Sequence, residues 1–210
     1  ATGMVGEGVL LECLDHPDVE RVLIVNRKHY DKTHPKLKEL IVPDFMDLGK
    51  VSDELKGYNA CFFCAGVSSV GMKEVEYRHL TYDITLNFAQ TLTTVNADMV
   101  FTYVSGSHTD STEKGKLMWA RVKGKTENDL MKLPFAQVFN FRPGIIKPTP
   151  GLKYTQKAYR FFGWLFLILK AINKNSFVTL KEIGQAMIHT MDYSGQKRIL
   201  EVKDIKELAD

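Results

Sequence analysis

Ala1-Thr-Gly-Met-Val-Gly-Glu-Gly8 runs directly into Val9-Leu-Leu-Glu-Cys-Leu14, which has the pattern of an amphipathic helix. Gly3 and Gly6 stand three apart. Glycines so placed before a helix let the backbone come close to a pyrophosphate and let the helix pack closely on a sheet. The helix start also presents free N–H groups and the positive end of its dipole to the phosphates. Alone, a Gly-x-x-Gly is equally well a glycine-rich helix start. The apolar run Arg21-Val-Leu-Ile-Val25 arrives at the distance that the phosphate-binding reading requires and strengthens it. A strand should precede the loop in such a unit, so upstream residues ending in a glycine are expected.

The rest of the chain alternates in the same way. Strand-like runs lie at Leu40-Ile-Val42, Ala60-Cys-Phe-Phe-Cys64, Met99-Val-Phe-Thr-Tyr-Val104 and Phe135-Ala-Gln-Val-Phe-Asn-Phe141. Helical patterns fall near 4–14, 50–56, 72–96, 115–133 and 153–172. Strands apolar on both faces belong in a parallel sheet covered by helices on each side. The pattern predicts an α/β protein: a three-layer Rossmann fold, a doubly wound, mostly parallel sheet with a small, mainly helical C-terminal portion. Residues 1–150 read as a dinucleotide-binding unit without its first strand, and 151–210 as a helical, substrate-side capping portion of the same domain. Pro143, Pro148 and Pro150, with Gly144 and Gly151, mark the change. A short strand is expected at Arg198-Ile-Leu-Glu-Val202.

Composition narrows the partners. Hydrophobic residues make up 44% and charged residues 25% of 210, the balance of a soluble globular chain. A net charge of +3, with basic and acidic residues interleaved, gives no footprint for nucleic acid. The three cysteines, an odd number, point to a reducing, cytoplasmic setting. Cys61 and Cys64 have metal-like spacing, but an offset of three on a strand turns the thiols to opposite faces, which favours packing. The apolar run from Phe161 to Leu169 is shorter than the ~20 residues needed to span a bilayer. The aromatic segment Tyr159–Ile172 is expected to pack over a substrate cleft or in a homodimer seam. Peripheral membrane contact is the lesser alternative.

The end of the second strand bears on the choice of cofactor. It reads Asn26-Arg27-Lys28, where an NAD-preferring domain carries a carboxylate for the ribose hydroxyls. Arg27 and Lys28 suit the extra phosphate of NADP instead, so NADP is expected over NAD. The alternative is a solvated basic loop, since Lys32, Lys36 and Lys38 follow. Asp44 is placed either to accept from an adenine amino group or to form a turn.

These residues carry a resemblance. Ala1-Thr-Gly-Met-Val-Gly6, Asp44-Phe45, Cys64-Ala-Gly66, Val104-Ser-Gly-Ser107, Lys123 and Arg142-Pro-Gly144 follow the order of the short-chain dehydrogenase/reductase superfamily. The chain is similar to its extended and atypical branch, which includes Tat-interacting-protein-like oxidoreductases and bacterial proteins described as sugar-nucleotide epimerases. The resemblance implies a cofactor cradle of Thr2, Gly3, Met4, Val5, Gly6, Asn26, Arg27, Lys28, Asp44, Phe45, Ala65 and Gly66. It also implies that Ser107 hydrogen-bonds a substrate carbonyl, with Ser105 as the neighbouring alternative, and that Lys123 holds the nicotinamide ribose.

The superfamily's catalytic tyrosine stands four residues before its lysine, on the same helical face. Here that position is Trp119, and an indole N–H cannot act as a proton donor near neutral pH. His108 or Asp110 could stand in, although each is equally a loop residue. Tyr193-Ser-Gly-Gln-Lys197 repeats the spacing by chance, around a glycine and far downstream. Two functions follow. One is an NADP-dependent oxidoreductase or epimerase acting on an unidentified carbonyl or alcohol. The other is a catalytically silent NADP-binding sensor or regulator.

Overall fold

The computed structural model describes residues 2–147 and 177–210. α1 (Met4–Asp15) is followed by β1 (Val22–Asn26) and β2 (Leu37–Ile41). A 3-10 helix at Gly49–Leu55 leads into β3 (Ala60–Phe63). α2 (Glu74–Arg78) and α3 (Ile84–Val95) form one helical stretch interrupted by a π turn at His79–Asp83. Next come β4 (Val100–Val104), α4 (Met118–Leu130), β5 (Gln137–Arg142) and β6 (Ile145–Lys147). β7 (Phe177–Thr179), α5 (Leu180–His189), β8 (Ile199–Glu201) and α6 (Val202–Ala209) follow. The helix expected at 153–172, with its membrane or dimer-seam alternatives, lies outside the described residues.

All strand pairings are parallel among the described residues. β1 pairs with β2, the strands β3-β4-β5-β8 form a second sheet in that order, and β6 pairs with β7. Strand runs that are apolar throughout feed two layers in alternation. Phe63, Phe101 and Tyr103 pack with Leu86 and Leu92 of α3 and Leu130 of α4. Phe62, Val100, Phe139 and Phe141 pack with Val9 of α1, Ile183 of α5 and Ile205 of α6. Burying each such large side chain contributes roughly 1.5–3 kcal/mol. The two clusters give the three-layer α/β arrangement expected from the sequence. Cys61 joins the first and Cys64 the second, so the two thiols do turn to opposite faces.

Some boundaries differ from the sequence expectation, each for a local reason. β2 begins at Leu37, ahead of the expected Leu40, because Lys38 and Glu39 interrupt the apolar run of an edge strand. The segment expected as a helix near 50–56 is a 3-10 helix, and the long helix near 72–96 contains the π turn. β6 and β7 are too short to show as apolar runs. The described part of the C-terminal portion completes the same unit: β8 pairs with β5, and α5 lies against α1. α5 starts at a capping box, in which Thr179 and Glu182 each accept from the other's backbone N–H.

Two close features set the site. A Cβ on Gly8 would come 2.7 Å from Leu180 Cβ, so the tight contact of α1 is made at Gly8 against α5. A Cβ on Gly124 of α4 would fall 1.8 Å from the Asp110 carbonyl oxygen, so only glycine admits the loop after β4. Gly124→Ala is expected to destabilise the fold by about 1–3 kcal/mol in urea unfolding through overpacking, despite a helix-propensity gain of about 1 kcal/mol. Unchanged stability would show that the loop is not held there.

β1 and β3 border one cleft of about 1740 Å³, with Val9, Leu10 and Cys13 on one side and Phe88 and Leu92 on the other. Neither strand is paired on a second side among the described residues. Such edges carry rows of free N–H and C=O groups. A short apolar strand ending in glycine, fused ahead of Ala1, is expected to pair with both edges. It should raise the Tm and slow alkylation of Cys61 and Cys64, which line the cleft. No change in either measurement would show that the edges do not accept a strand.

Candidate functional site

The start of α1 is open. Gly3 occupies its N-cap in an extended conformation (φ −98°, ψ 165°) with no side-chain cap, and its carbonyl accepts Glu7 N–H at 2.8 Å. The N–H groups of the first turn therefore lack side-chain partners, as an anion site requires. Thr2, Gly3 and Gly6 line the same cleft as Asn26, Arg27 and Lys28, and Phe45, Ala65 and Gly66 lie on its wall. Met4 and Val5 are half-buried in the first turn, and Val5 packs into the core beside α1.

The loop after β1 is organised by one carboxylate. Glu39 accepts from Asn26 Nδ2 at 3.2 Å and Tyr30 N–H at 2.8 Å, and it pairs with His29. Burial works to raise the Glu39 carboxyl, but these hydrogen bonds outweigh it and hold the group below its ordinary range. Glu7, buried in α1, pairs with Lys32 at 3.2 Å. Arg27 and Lys28 are exposed and form no ion pair among the described residues. Asp44 accepts Met46 N–H at 2.8 Å and is exposed, so it serves as a turn residue in this structure. Phe45 stacks edge-on to Phe88 at 5.9 Å, and its carbonyl accepts Asn87 Nδ2 at 2.8 Å.

A second group forms at the ends of β4 and β5. Ser105 is buried, and its single hydroxyl proton is shared between Glu127 and the Phe141 carbonyl, the latter at 3.1 Å. Ser107 is only half-buried; its N–H donates to Pro143 O at 2.9 Å and its hydroxyl to Arg142 O at 3.3 Å. Lys123 donates from Nζ to the Ser105 carbonyl. Burial pushes the Lys123 ammonium down, and Glu127, one turn further along α4, pulls it up. Trp119 is half-buried, one turn before Lys123 on the same face. The two groups share one edge of the sheet, because Gly66 follows β3 and Ser107 follows β4, its parallel neighbour. Ligands of open α/β sheets sit at such carboxyl ends.

The candidate substitutes for a tyrosine fare differently. Asp110 accepts from Thr112 and from Gly115 N–H at 2.6 Å, and these bonds hold its carboxyl low, as a turn-maker. His108 is exposed with φ 68°. Tyr193 packs on Phe139 at 5.6 Å while Lys197 pairs with Asp204 at 2.6 Å, so the pair is not part of either group. Burial pushes the Cys13 and Cys64 thiols up to about 12 and raises Cys61 as well. No cluster able to hold a metal occurs among the described residues. Nor is any described helix long and apolar enough to cross a membrane. Sequence reasoning missed Glu127 and Glu39. The signal for Glu127 was its place four residues after Lys123; Glu39 gave none.

No protein-family model matches the chain, and no curated protein matches it by sequence. Solved structures match its fold. The glucuronic acid dehydrogenase of Chromohalobacter salexigens aligns with TM-score 0.65 at 14% identity, over 94% of this chain and 72% of that one. The ADP-L-glycero-D-manno-heptose-6-epimerase of Helicobacter pylori aligns with TM-score 0.69 at 13% identity, over 99% and 78%. The dTDP-glucose 4,6-dehydratase DesIV of Streptomyces venezuelae, solved with NAD bound, aligns with TM-score 0.68 at 16% identity, over 96% and 73%. At such identities the likeness is one of fold: the chain has the Rossmann-type α/β fold that the sequence resemblance implies.

Proposed function

We propose that the chain binds a nicotinamide dinucleotide, NADP in preference to NAD, and is an oxidoreductase- or epimerase-like protein acting on a small carbonyl or alcohol. The observation that carries this reading is the meeting, in one cleft, of an uncapped helix start with two exposed cations that form no ion pair among the described residues. A Cβ on Gly3 would have nothing within 4 Å, so the cradle has room for a pyrophosphate. Arg27 and Lys28 suit a further phosphate, while the nearby carboxylate of Glu39 is already committed to Asn26, His29 and Tyr30. Solved neighbours described with NAD support the class of cofactor without choosing its phosphate.

The bound dinucleotide would supply or accept a hydride. Lys123 would hold its ribose through the ammonium group. Ser107 would turn its hydroxyl from the Arg142 carbonyl to a substrate oxygen. Trp119 occupies the acid/base position and Asp110 is bound in its own turn, which leaves only the exposed His108 among the candidate substitutes. That observation favours a second reading, a catalytically silent NADP-binding sensor or regulator.

Titration with NADPH and NADH by fluorescence tests the cofactor. Arg27→Ala is expected to weaken NADPH binding roughly tenfold, the loss of about 1.4 kcal/mol, and to leave NADH binding unchanged. Tighter binding of NADH than NADPH would overturn the preference. A panel of carbonyl substrates tests turnover, with Trp119→Tyr and Ser107→Ala measured beside the wild type. Wild-type activity that is lost in Ser107→Ala supports the enzyme reading. Activity found only in Trp119→Tyr supports the silent one.

A further inference from the structure

We infer that Glu127 is a positioning residue, a buried carboxylate that fixes where Lys123 and the Ser105–Ser107 turn stand. Its use for cofactor binding rests on the dinucleotide reading above; its geometry does not. Glu127 is fully buried on α4. Oε1 accepts from Ser105 Oγ and from Arg142 Nε at 3.0 Å, and Oε2 accepts from Arg142 Nη2. The carbonyl of Ser105 in turn receives the Lys123 ammonium. The carbonyl of Arg142 receives the Ser107 hydroxyl at 3.3 Å. One carboxylate thus reaches both candidate site residues, each through a single intervening residue.

Charge works in the same direction. Burial disfavours the Lys123 ammonium, and Glu127 is the charged group that favours it. The titratable and charged groups in or beside this region are Arg142 of β5, Glu201 at the end of β8, Tyr103 of β4, Tyr77 of α2, and His108 and Asp110 after β4. Arg142 is paired with both Glu127 and Glu201. Tyr103 and Tyr77 are raised by burial and so carry no charge. Asp110 is held in its turn by Thr112 and Gly115. Neutralising Glu127 would leave Lys123 with its burial and with an Arg142 less fully opposed. Both effects make it lose its proton at lower pH.

The test is the pH dependence of Lys123 labelling by trace acetic anhydride, read peptide by peptide by mass spectrometry, in the wild type and in Glu127→Gln. The midpoint for Lys123 is expected to fall by about one pH unit, with the other lysines unmoved. Should Glu127→Gln fail to fold, the double variant Glu127→Gln/Arg142→Gln removes the pair without leaving a lone buried charge. It should show a smaller fall in the same direction. An unchanged Lys123 midpoint in the folded variant overturns the inference, because a purely structural ion pair would leave that titration alone. NADPH affinity is measured alongside. In Glu127→Gln it should weaken more at pH 9 than at pH 6, by no more than about tenfold for a one-unit fall, since the ammonium is the form that holds the ribose. Absence of NADPH binding by the wild type would defeat the dinucleotide reading, and Lys123 labelling would still decide the role of Glu127.

Discussion

Glu127 lies wholly inside the protein, hydrogen-bonded by Ser105 and Arg142. A carboxylate there is tolerated only because its partners stay in place. Removing one partner of a buried pair typically costs roughly 3–5 kcal/mol, a large part of a total stability of about 5–15 kcal/mol. The pair therefore constrains more than itself. Ser105 and Phe141 are joined by backbone and side-chain bonds, and Ser107 N–H reaches Pro143 O at 2.9 Å. The ends of β4 and β5 are held as one unit. Arg142 extends the link to Glu201 at 3.3 Å and so to β8. The turn that carries Ser107, the helix that carries Lys123 and the last strand of the sheet all meet at this carboxylate.

The other half of the cleft is organised by different means. α1 is seated by its contact with Leu180 at Gly8, away from its start, so its first turn needs no cap to be positioned. Glu39 gathers Asn26, His29 and Tyr30, and Glu7 gathers Lys32. Among the described residues, these two acids leave Arg27 and Lys28 without an ion pair. The loop is thus rigid at its root and positively charged at its rim. A preorganised arrangement of this kind favours an anion, because little ordering remains to oppose binding.

Much of this was legible in the sequence, and the limits have physical causes. Strands buried on both faces write themselves as apolar runs, so β1, β3, β4 and β5 could be read directly. β2 is an edge strand with Lys38 and Glu39 in it, and only its last residues looked like a strand. The Gly3–Gly6 loop and the Arg27-Lys28 pair were visible because their chemistry is local. Glu39 and Glu127 were not, since each acts through partners distant in sequence: Glu39 thirteen residues from Asn26, and Glu127 fifteen from Arg142. Asp44 was open between an adenine contact and a turn. In the structure it makes a turn bond to Met46 N–H at 2.8 Å.

The two halves differ in how complete they are. The half built by α1, β1 and β3 presents an uncapped helix start, an open cleft and two exposed cations that form no ion pair among the described residues. The half built by β4, α4 and β5 offers a hydroxyl and an ammonium. Trp119 cannot release a proton and Asp110 is tied into its turn, so among the described residues the exposed His108 is the remaining candidate acid or base beside Ser107. Lys123 does not fill the gap. Glu127 acts to keep it charged, and a cation so fixed is suited to holding a ligand rather than to exchanging protons with it. Turnover would therefore have to draw its proton from His108, from the substrate, from water or from outside the described residues. A binding role makes no such demand on the structure.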